Sequence, residues 1–127
     1  MSSRCVRLGA LFALLGVGLG AFGAHGLKDV LSPYGVTVFE KATFYHLVHA
    51  VALVALGGAA HGPMLRPLVV SRVTLLFSVG IVIFSGSLYL LAVTELRWLG
   101  AITPIGGTAF IVGWLILALQ GGSSEPN

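Results

Sequence analysis

Charged residues are scarce in this sequence. Asp, Glu, Lys and Arg make up 9% of its 127 residues, whereas 57% of the residues are hydrophobic. A soluble domain carries roughly 25% charged residues. This composition excludes a soluble domain, because too few charges are present to cover a water-facing surface. It predicts a single integral membrane domain comprising residues 1–127.

Cysteine and catalytic motifs are also nearly absent. The single cysteine, Cys5, excludes an intramolecular disulfide and a cysteine-based metal cluster, and we expect a free thiol near the cytoplasmic face. The chain contains no nucleophile elbow, phosphate-binding loop or carboxylate pair, so we expect no enzymatic activity and no cofactor. The net charge of +3 does not indicate nucleic-acid binding, because the basic residues flank apolar segments, where membrane topology explains them.

Four apolar segments are each long enough to cross a bilayer. They are predicted as helices at residues 7–24, 36–60, 73–94 and 98–119, followed by a flexible polar tail at 121–127. Only three residues separate the third and fourth segments, so these two must form an antiparallel hairpin. The sequence therefore predicts an all-α, antiparallel, up-down four-helix bundle in the membrane.

Four spans place both termini on the same side of the membrane. That side carries four Lys or Arg residues, and the opposite side carries three. The positive-inside rule then places both termini in the cytoplasm, as for a bacterial inner-membrane protein. Trp98 and Trp114 are assigned to the two membrane interfaces, where aromatic residues are enriched.

Small residues line one face of the first segment. Gly9, Ala13, Gly16, Gly20 and Gly23 follow at steps of four, three, four and three, so they share one stripe of a helix. A stripe without large side chains lets another helix approach the backbone closely, and such packing drives helix association in lipid. The first segment is therefore predicted to be the central helix of the bundle.

A proline interrupts the fourth segment. Pro104 cannot donate a hydrogen bond to the Gly100 carbonyl one turn earlier, and its ring crowds that carbonyl. Gly106 and Gly107 weaken the helix further. We therefore predict a kink or local unwinding from Thr103 to Gly107, and the freed carbonyl needs a polar donor at the same depth.

Polar residues of all four segments fall at one level of the membrane. At 1.5 Å per residue, His49 lies about 12 Å from the end that holds the 26–41 connection, and Ser87 lies about 12 Å from the same end. Polar side chains in lipid face the bundle interior and find partners there. We therefore predict an intramembrane polar cluster, which consists of His25, Tyr45, His49, Ser85, Ser87, Tyr89, Thr103 and Thr108.

This cluster has three alternative interpretations. It is a staple that holds a kinked helix against its neighbours, or it lines a proton or solute path, because intramembrane histidines titrate near neutral pH and broken helices line transporter sites. The third is a metal or haem site at His25, His46 and His49. No carboxylate or cysteine completes a typical ligand set for that site.

Several short motifs run in order through all four segments. They are Gly20-Ala-Phe-Gly-Ala-His-Gly26, Tyr45 with His49-Ala50, Phe84-Ser-Gly-Ser-Leu-Tyr89, Thr103-Pro-Ile-Gly-Gly107 and Gly113-Trp114. With these motifs the chain resembles a family of small bacterial membrane proteins of unknown function that includes the animal transmembrane protein 256. The resemblance implies a four-helix inner-membrane protein without an established activity. It also implies that Gln often replaces His46, which weakens a metal site there.

The expected function is that of a structural or accessory subunit. Helices one, two and four carry more small-residue surface than a monomer of four short helices needs, which favours packing against a larger membrane complex or against copies of the same chain. The expected partners are therefore the lipid bilayer and such a complex or homo-oligomer. The alternative is a minimal transporter or proton-linked channel that uses the polar cluster, and metal or haem binding is the third choice.

Overall fold

The computed structural model describes residues 2–122, and the regular structure of this range is helical throughout. The first two spans are α1 (Ser2–His25) and α2 (Pro33–Ala59). The third span consists of α3 (Pro67–Gly80), a π-helix (Ile81–Ser85) and α4 (Gly86–Thr94). The fourth consists of a 3₁₀-helix (Arg97–Ala101) and α5 (Thr103–Gln120). All four spans are long and apolar enough to cross a membrane, which confirms the predicted all-α, four-span fold.

The helices extend beyond the predicted apolar segments, mainly at their N-terminal ends. The spans begin at residues 2, 33, 67 and 97 rather than at 7, 36, 73 and 98. Pro33 and Pro67 each occupy the first turn of a helix, where the fixed φ of proline suits the helix and its missing N–H leaves no bond unmade. Ser32 caps α2, because its Oγ accepts a hydrogen bond from the Gly35 N–H at 3.0 Å.

The predicted tail falls mostly outside the described residues. Of residues 121–127, the structure describes Gly121 and Gly122, which form a turn after α5. The Gly122 N–H donates a hydrogen bond to the Met64 carbonyl at 2.9 Å. This bond ties the end of α5 to the connection between α2 and α3.

The glycine stripe of α1 packs directly on α2. A Cβ at Gly9 would lie 2.8 Å from the Leu53 Cβ, and one at Gly16 would lie 2.7 Å from Leu47 Cδ2. The stripe therefore provides close packing, but α1 contacts mainly one neighbour, whereas α2 packs on α1 and on every part of the third span. The prediction that α1 is the central helix is wrong, because a single small-residue stripe serves a single close partner. α2 is the central helix.

The π-helix in the third span was not predicted. It spans Ile81–Ser85 between Gly80 and Gly86. At this level Gly106 of α5 lies against the backbone of Phe84, so that a Cβ on Gly106 would collide with it. The wide turn therefore coincides with the closest approach of the third span and α5.

The irregularity in the fourth span lies one turn before the predicted position. The 3₁₀-helix ends at Ala101, and residues 103–120, including Gly106 and Gly107, form a regular α-helix. Pro104 lies in the first turn of α5, where a missing N–H has no consequence. The chain thus accommodates Pro104 by starting a new helix at Thr103, and the predicted unwinding from Thr103 to Gly107 is replaced by a change of helix type before Thr103.

Two apolar clusters form the core. The larger contains Leu53, Val73 and Phe77, and the smaller contains Ala42 and Leu91. Ala42 and Leu53 both belong to α2, so the stretch of α2 between them passes from one cluster to the other. The two buried histidines of the molecule lie on this stretch.

Candidate functional site

His46 joins three spans at one point. The residue is 4% exposed, and its Nε2 lies 2.7 Å from the Phe12 carbonyl oxygen in α1 while its Nδ1 lies 2.8 Å from the Tyr89 hydroxyl in α4. A carbonyl only accepts hydrogen bonds, so Nε2 carries the proton and donates it. In the neutral ring, Nδ1 then accepts from the Tyr89 hydroxyl. His46 is therefore the Nε2–H tautomer, bound at both nitrogens.

His49 has the opposite tautomer and joins α2 to α5. Its Nδ1 lies 2.7 Å from the Tyr45 carbonyl oxygen, and its Nε2 lies 2.9 Å from the indole nitrogen of Trp114. The indole N–H is only a donor, so Nε2 accepts and the proton of the neutral ring is on Nδ1. The imidazole also stacks on the Phe110 ring at a centroid distance of 3.5 Å and an interplanar angle of 10°. His49 is thus enclosed by aromatic rings and bound at both nitrogens.

Two serines of the third span reach opposite neighbours. The Ser85 hydroxyl donates to the Ala42 carbonyl of α2 at 2.8 Å. The hydroxyls of Ser87 and Thr103 lie 2.6 Å apart and join the third span to α5. Residues two apart on a helix point about 200° from each other, which explains why the two serines bind different helices.

Cys5 forms a further junction that the sequence did not indicate. The thiol is buried and unpaired with another cysteine, and its Sγ donates to the Leu53 carbonyl at 3.1 Å. The same Sγ lies 3.2 Å from the Thr74 hydroxyl. Cys5 therefore connects α1, α2 and α3, and it is a packed thiol rather than an accessible one.

Other residues of the predicted cluster lie apart from these junctions. His25 is exposed at the end of α1, and its side chain has no hydrogen-bond partner within residues 2–122. Thr108 is exposed and bonds to the Pro104 carbonyl of its own helix at 2.8 Å. Tyr45 is 38% exposed, and it contributes its carbonyl to His49 while its ring lies against Phe84.

The structure thus brings the side chains of five of the eight predicted residues into hydrogen bonds between different spans. These five are His49, Ser85, Ser87, Tyr89 and Thr103. Sequence reasoning missed the central place of His46, which was considered only as a metal ligand, and that of Trp114, which was assigned to an interface. The signal for His46 was its spacing of three from His49, which puts both rings on neighbouring faces of α2.

The three histidines proposed as metal ligands do not converge. Within residues 2–122 no three His, Cys, Asp or Glu side chains lie close enough together to hold a metal ion. His46 and His49 use both ring nitrogens in hydrogen bonds. In this part of the chain, moreover, every buried polar side-chain atom has a hydrogen-bond partner. The polar groups of these junctions are therefore used in bonds that hold the spans together.

Comparison with known proteins places the chain in a family. The sequence profile of the family described as "Protein of unknown function (DUF423)" matches residues 19–107. The chain is 52% identical over 114 residues to a UPF0382 membrane protein of Staphylococcus saprophyticus, and the match covers 90% of this chain and 92% of that protein. No solved structure matches the chain.

A second relative comes from another genus. The UPF0382 membrane protein YwdK of Bacillus subtilis is 46% identical over 114 residues, and the match covers 90% of this chain and 92% of YwdK. These matches confirm the resemblance that the motifs indicated. The chain therefore belongs to the DUF423 family, a family of unknown function, and these bacterial membrane proteins are its relatives.

Proposed function

We propose that this protein is a non-enzymatic structural or accessory subunit of the bacterial inner membrane. It packs against a larger membrane complex or against copies of itself, and both termini lie in the cytoplasm. The observation that carries this proposal is that, within residues 2–122, every buried polar side-chain atom is hydrogen-bonded inside the bundle.

The interior bonds favour a staple over a transport path. A proton or solute path needs groups that can exchange partners with the species transported. His46 and His49 instead have a bond at each nitrogen, and Ser85 is fully buried with its hydroxyl bound to α2. Hydrogen bonds between membrane helices contribute about 0.6 kcal/mol each on average, so several of them together stabilise one helix arrangement.

The outward face of α1 supports association with another helix. Leu14, Gly18, Ala21 and His25 follow at steps of four, three and four, and all four are exposed. A Cβ at Gly18 would meet no atom within 4 Å. Small residues on a lipid-facing helix allow the close approach of another helix. This face is the proposed contact with a partner or a second copy.

Photo-crosslinking in native membranes tests this contact. A photo-crosslinking residue in place of Leu14, which is 68% exposed, should give a covalent product of one defined mass. The matched control is the same residue in place of Leu75 of α3, which is 64% exposed and should give only lipid adducts. The product at position 14 should disappear in Gly18→Leu, because the added side chain holds the partner helix away.

Two results would contradict the proposal. One is the absence of a protein product at position 14 together with a strictly monomeric protein, without a companion, after purification in mild detergent. The other is a flux in liposomes that requires His49, which would establish transport instead. The orientation is tested separately by fusing a reporter that is active only in the cytoplasm to either terminus, and activity in both fusions is expected.

A further inference from the structure

A groove lies between the C-terminal half of α1 and the N-terminal half of α2. Its volume is about 490 Å³, which falls within the range of roughly 300–1,000 Å³ that is typical of small-molecule sites. Gly20 and Gly23 leave one side of the groove without large side chains, and the apolar side chains of Leu31, Phe39 and Phe44 line the rest. The groove is therefore a largely apolar space that the protein leaves unfilled.

Two residues of opposite charge line the same groove. Lys28 and Glu40 are both exposed there, and neither forms an ion pair or a side-chain hydrogen bond within residues 2–122. Glu95, at the same end of the molecule, differs because it accepts a hydrogen bond from the Ser32 hydroxyl. The groove thus offers one free cation and one free carboxylate to a ligand.

The charged part of the groove lies at the level of the lipid headgroups. Lys28 belongs to the connection before α2, and Glu40 lies seven residues after Pro33, which is about 10 Å along the helix. Residues 42–59 of α2 contain no charged residue and are about 27 Å long, which nearly fills the hydrocarbon core of about 30 Å. Glu40 therefore lies at the edge of the core, where the headgroup region begins. The inner wall offers no free polar group, because the Thr43 hydroxyl is bound to the Phe39 carbonyl at 3.0 Å.

We propose that this groove binds one phospholipid with a primary amine, of the phosphatidylethanolamine type. The lipid phosphate pairs with Lys28, the ammonium donates hydrogen bonds to Glu40, and the start of one acyl chain fills the apolar part. A primary ammonium has three N–H donors, whereas the quaternary ammonium of phosphatidylcholine has none and the headgroup of phosphatidylglycerol has no cation. The site lies outside the histidine junctions and the outward face of α1, so it does not depend on the proposed function.

Lipid binding by native mass spectrometry tests the site. The full-length protein, purified in detergent, is titrated with phosphatidylethanolamine, phosphatidylcholine and phosphatidylglycerol of identical acyl chains. We expect phosphatidylethanolamine to bind about two- to fivefold more tightly than phosphatidylcholine, because only its primary ammonium can donate hydrogen bonds to Glu40 and this site is exposed. Equal binding of these two lipids would overturn the proposal.

Charge variants inside the groove, each paired with a control variant of the same charge outside it, test whether the lipid preference arises in the groove. Glu40→Gln should remove the preference for phosphatidylethanolamine over phosphatidylcholine, whereas Asp29→Asn, which changes the same charge outside the groove, should keep it. Lys28→Gln should weaken both lipids by about two- to fivefold, and Lys41→Gln should weaken neither. All four positions are exposed, so the variants should fold, which far-ultraviolet circular dichroism checks.

Three outcomes of the variant series contradict the site. The first is a preference that survives Glu40→Gln. The second is an equal loss in Asp29→Asn, which would assign the effect to surface charge in general. The third is a lipid-free dimer that is lost in Gly20→Val, which would assign the groove to a second copy of the chain.

Discussion

The two sides of α2 are held by different kinds of contact. On one side, glycines such as Gly9 and Gly16 bring the α1 backbone directly against α2, and single hydrogen bonds from Cys5 and His46 add to this contact. On the other side, the third span and α5 approach through aromatic rings and hydrogen bonds around His49 and Ser85. Glycine contacts depend on the absence of volume, whereas side-chain contacts depend on the presence of particular groups. Side-chain atoms added to a glycine should therefore disrupt the interface of α2 with α1. Removal of a side-chain group should instead disrupt the interface of α2 with the third span and α5.

The largest effect is expected from a side chain added to the α1 interface. In Gly9→Leu, the Cβ would lie 2.8 Å from both Leu53 Cβ and the Val54 backbone nitrogen. Since backbone cannot move aside as a side-chain tip can, α1 must shift away from α2. We expect the free energy of unfolding in detergent micelles to fall by about 3 kcal/mol or more.

Gly18→Leu is the matched control for this prediction. It makes the same substitution on the same helix, but a Cβ at Gly18 meets no atom within 4 Å. Its effect on the isolated protein should stay within about 0.5 kcal/mol. Leucine favours a helix more than glycine does, so helix propensity cannot cause a loss in either variant. Similar losses in Gly9→Leu and Gly18→Leu would mean that contact with α2 does not decide the result.

The sequence predicts these two sides unequally well. The spacing of the glycines from Gly9 to Gly23 identifies the α1 stripe, because a helical period requires no knowledge of the partner. The same spacing cannot say how many helices pack on α1, and for that reason it misplaced the centre of the bundle. The four spans follow from apolar length alone, which the structure confirms.

The polar side of α2 was only partly predictable. Counting residues from the helix ends gives depth, and depth selected His49, Ser85 and Ser87. Depth carries no information on the direction of a side chain, so His25 and Thr108 were included although they are exposed. The π-helix at 81–85 has no signature in hydrophobic periodicity, since it depends on how the third span meets α5.

The second largest effect is expected from removal of His49. His49→Ala loses the stacking on Phe110, worth about 0.5–1.5 kcal/mol, and the bond to Trp114, worth about 0.6 kcal/mol, and it leaves a cavity. We expect a loss of about 2 kcal/mol in the unfolding free energy. His46→Ala loses edge contacts with the rings of Phe12 and Tyr89 and both hydrogen bonds of His46, so it should cost a similar amount. His25→Ala, at an exposed position without a partner within residues 2–122, should have no measurable effect. A loss for His25→Ala as large as that for His49→Ala would contradict the assignment of stability to the buried junctions.

Removal of single donors should give a smaller effect. Trp114→Phe removes the N–H that binds His49, and Tyr89→Phe removes the hydroxyl that binds His46. Tyr89→Phe should lower the unfolding free energy by about 0.6 kcal/mol, with an upper value of about 1.7 kcal/mol. Trp114→Phe should lower it somewhat more, because the smaller ring also loses contact with Phe77. The two junctions share no hydrogen bond, so the double variant should be additive within about 0.5 kcal/mol. A clear coupling energy would show that the two histidine junctions act as one network.

The smallest predicted effect is the position of the single ring proton in neutral His46 and neutral His49. The hydrogen-bond partners place it on Nε2 in His46 and on Nδ1 in His49, so ¹⁵N spectra of the histidine side chains should show two opposite neutral tautomers. Trp114→Phe should leave the His49 proton on Nδ1, because the Tyr45 carbonyl still accepts it. A proton on Nε2 of His49 would point at the indole N–H of Trp114, and two donors cannot share a hydrogen bond. Observation of that tautomer would therefore remove the hydrogen bond between α2 and α5 from the structure, and this side of α2 would be held by the stacking on Phe110 and by the bonds of Ser85 and Tyr89 to α2.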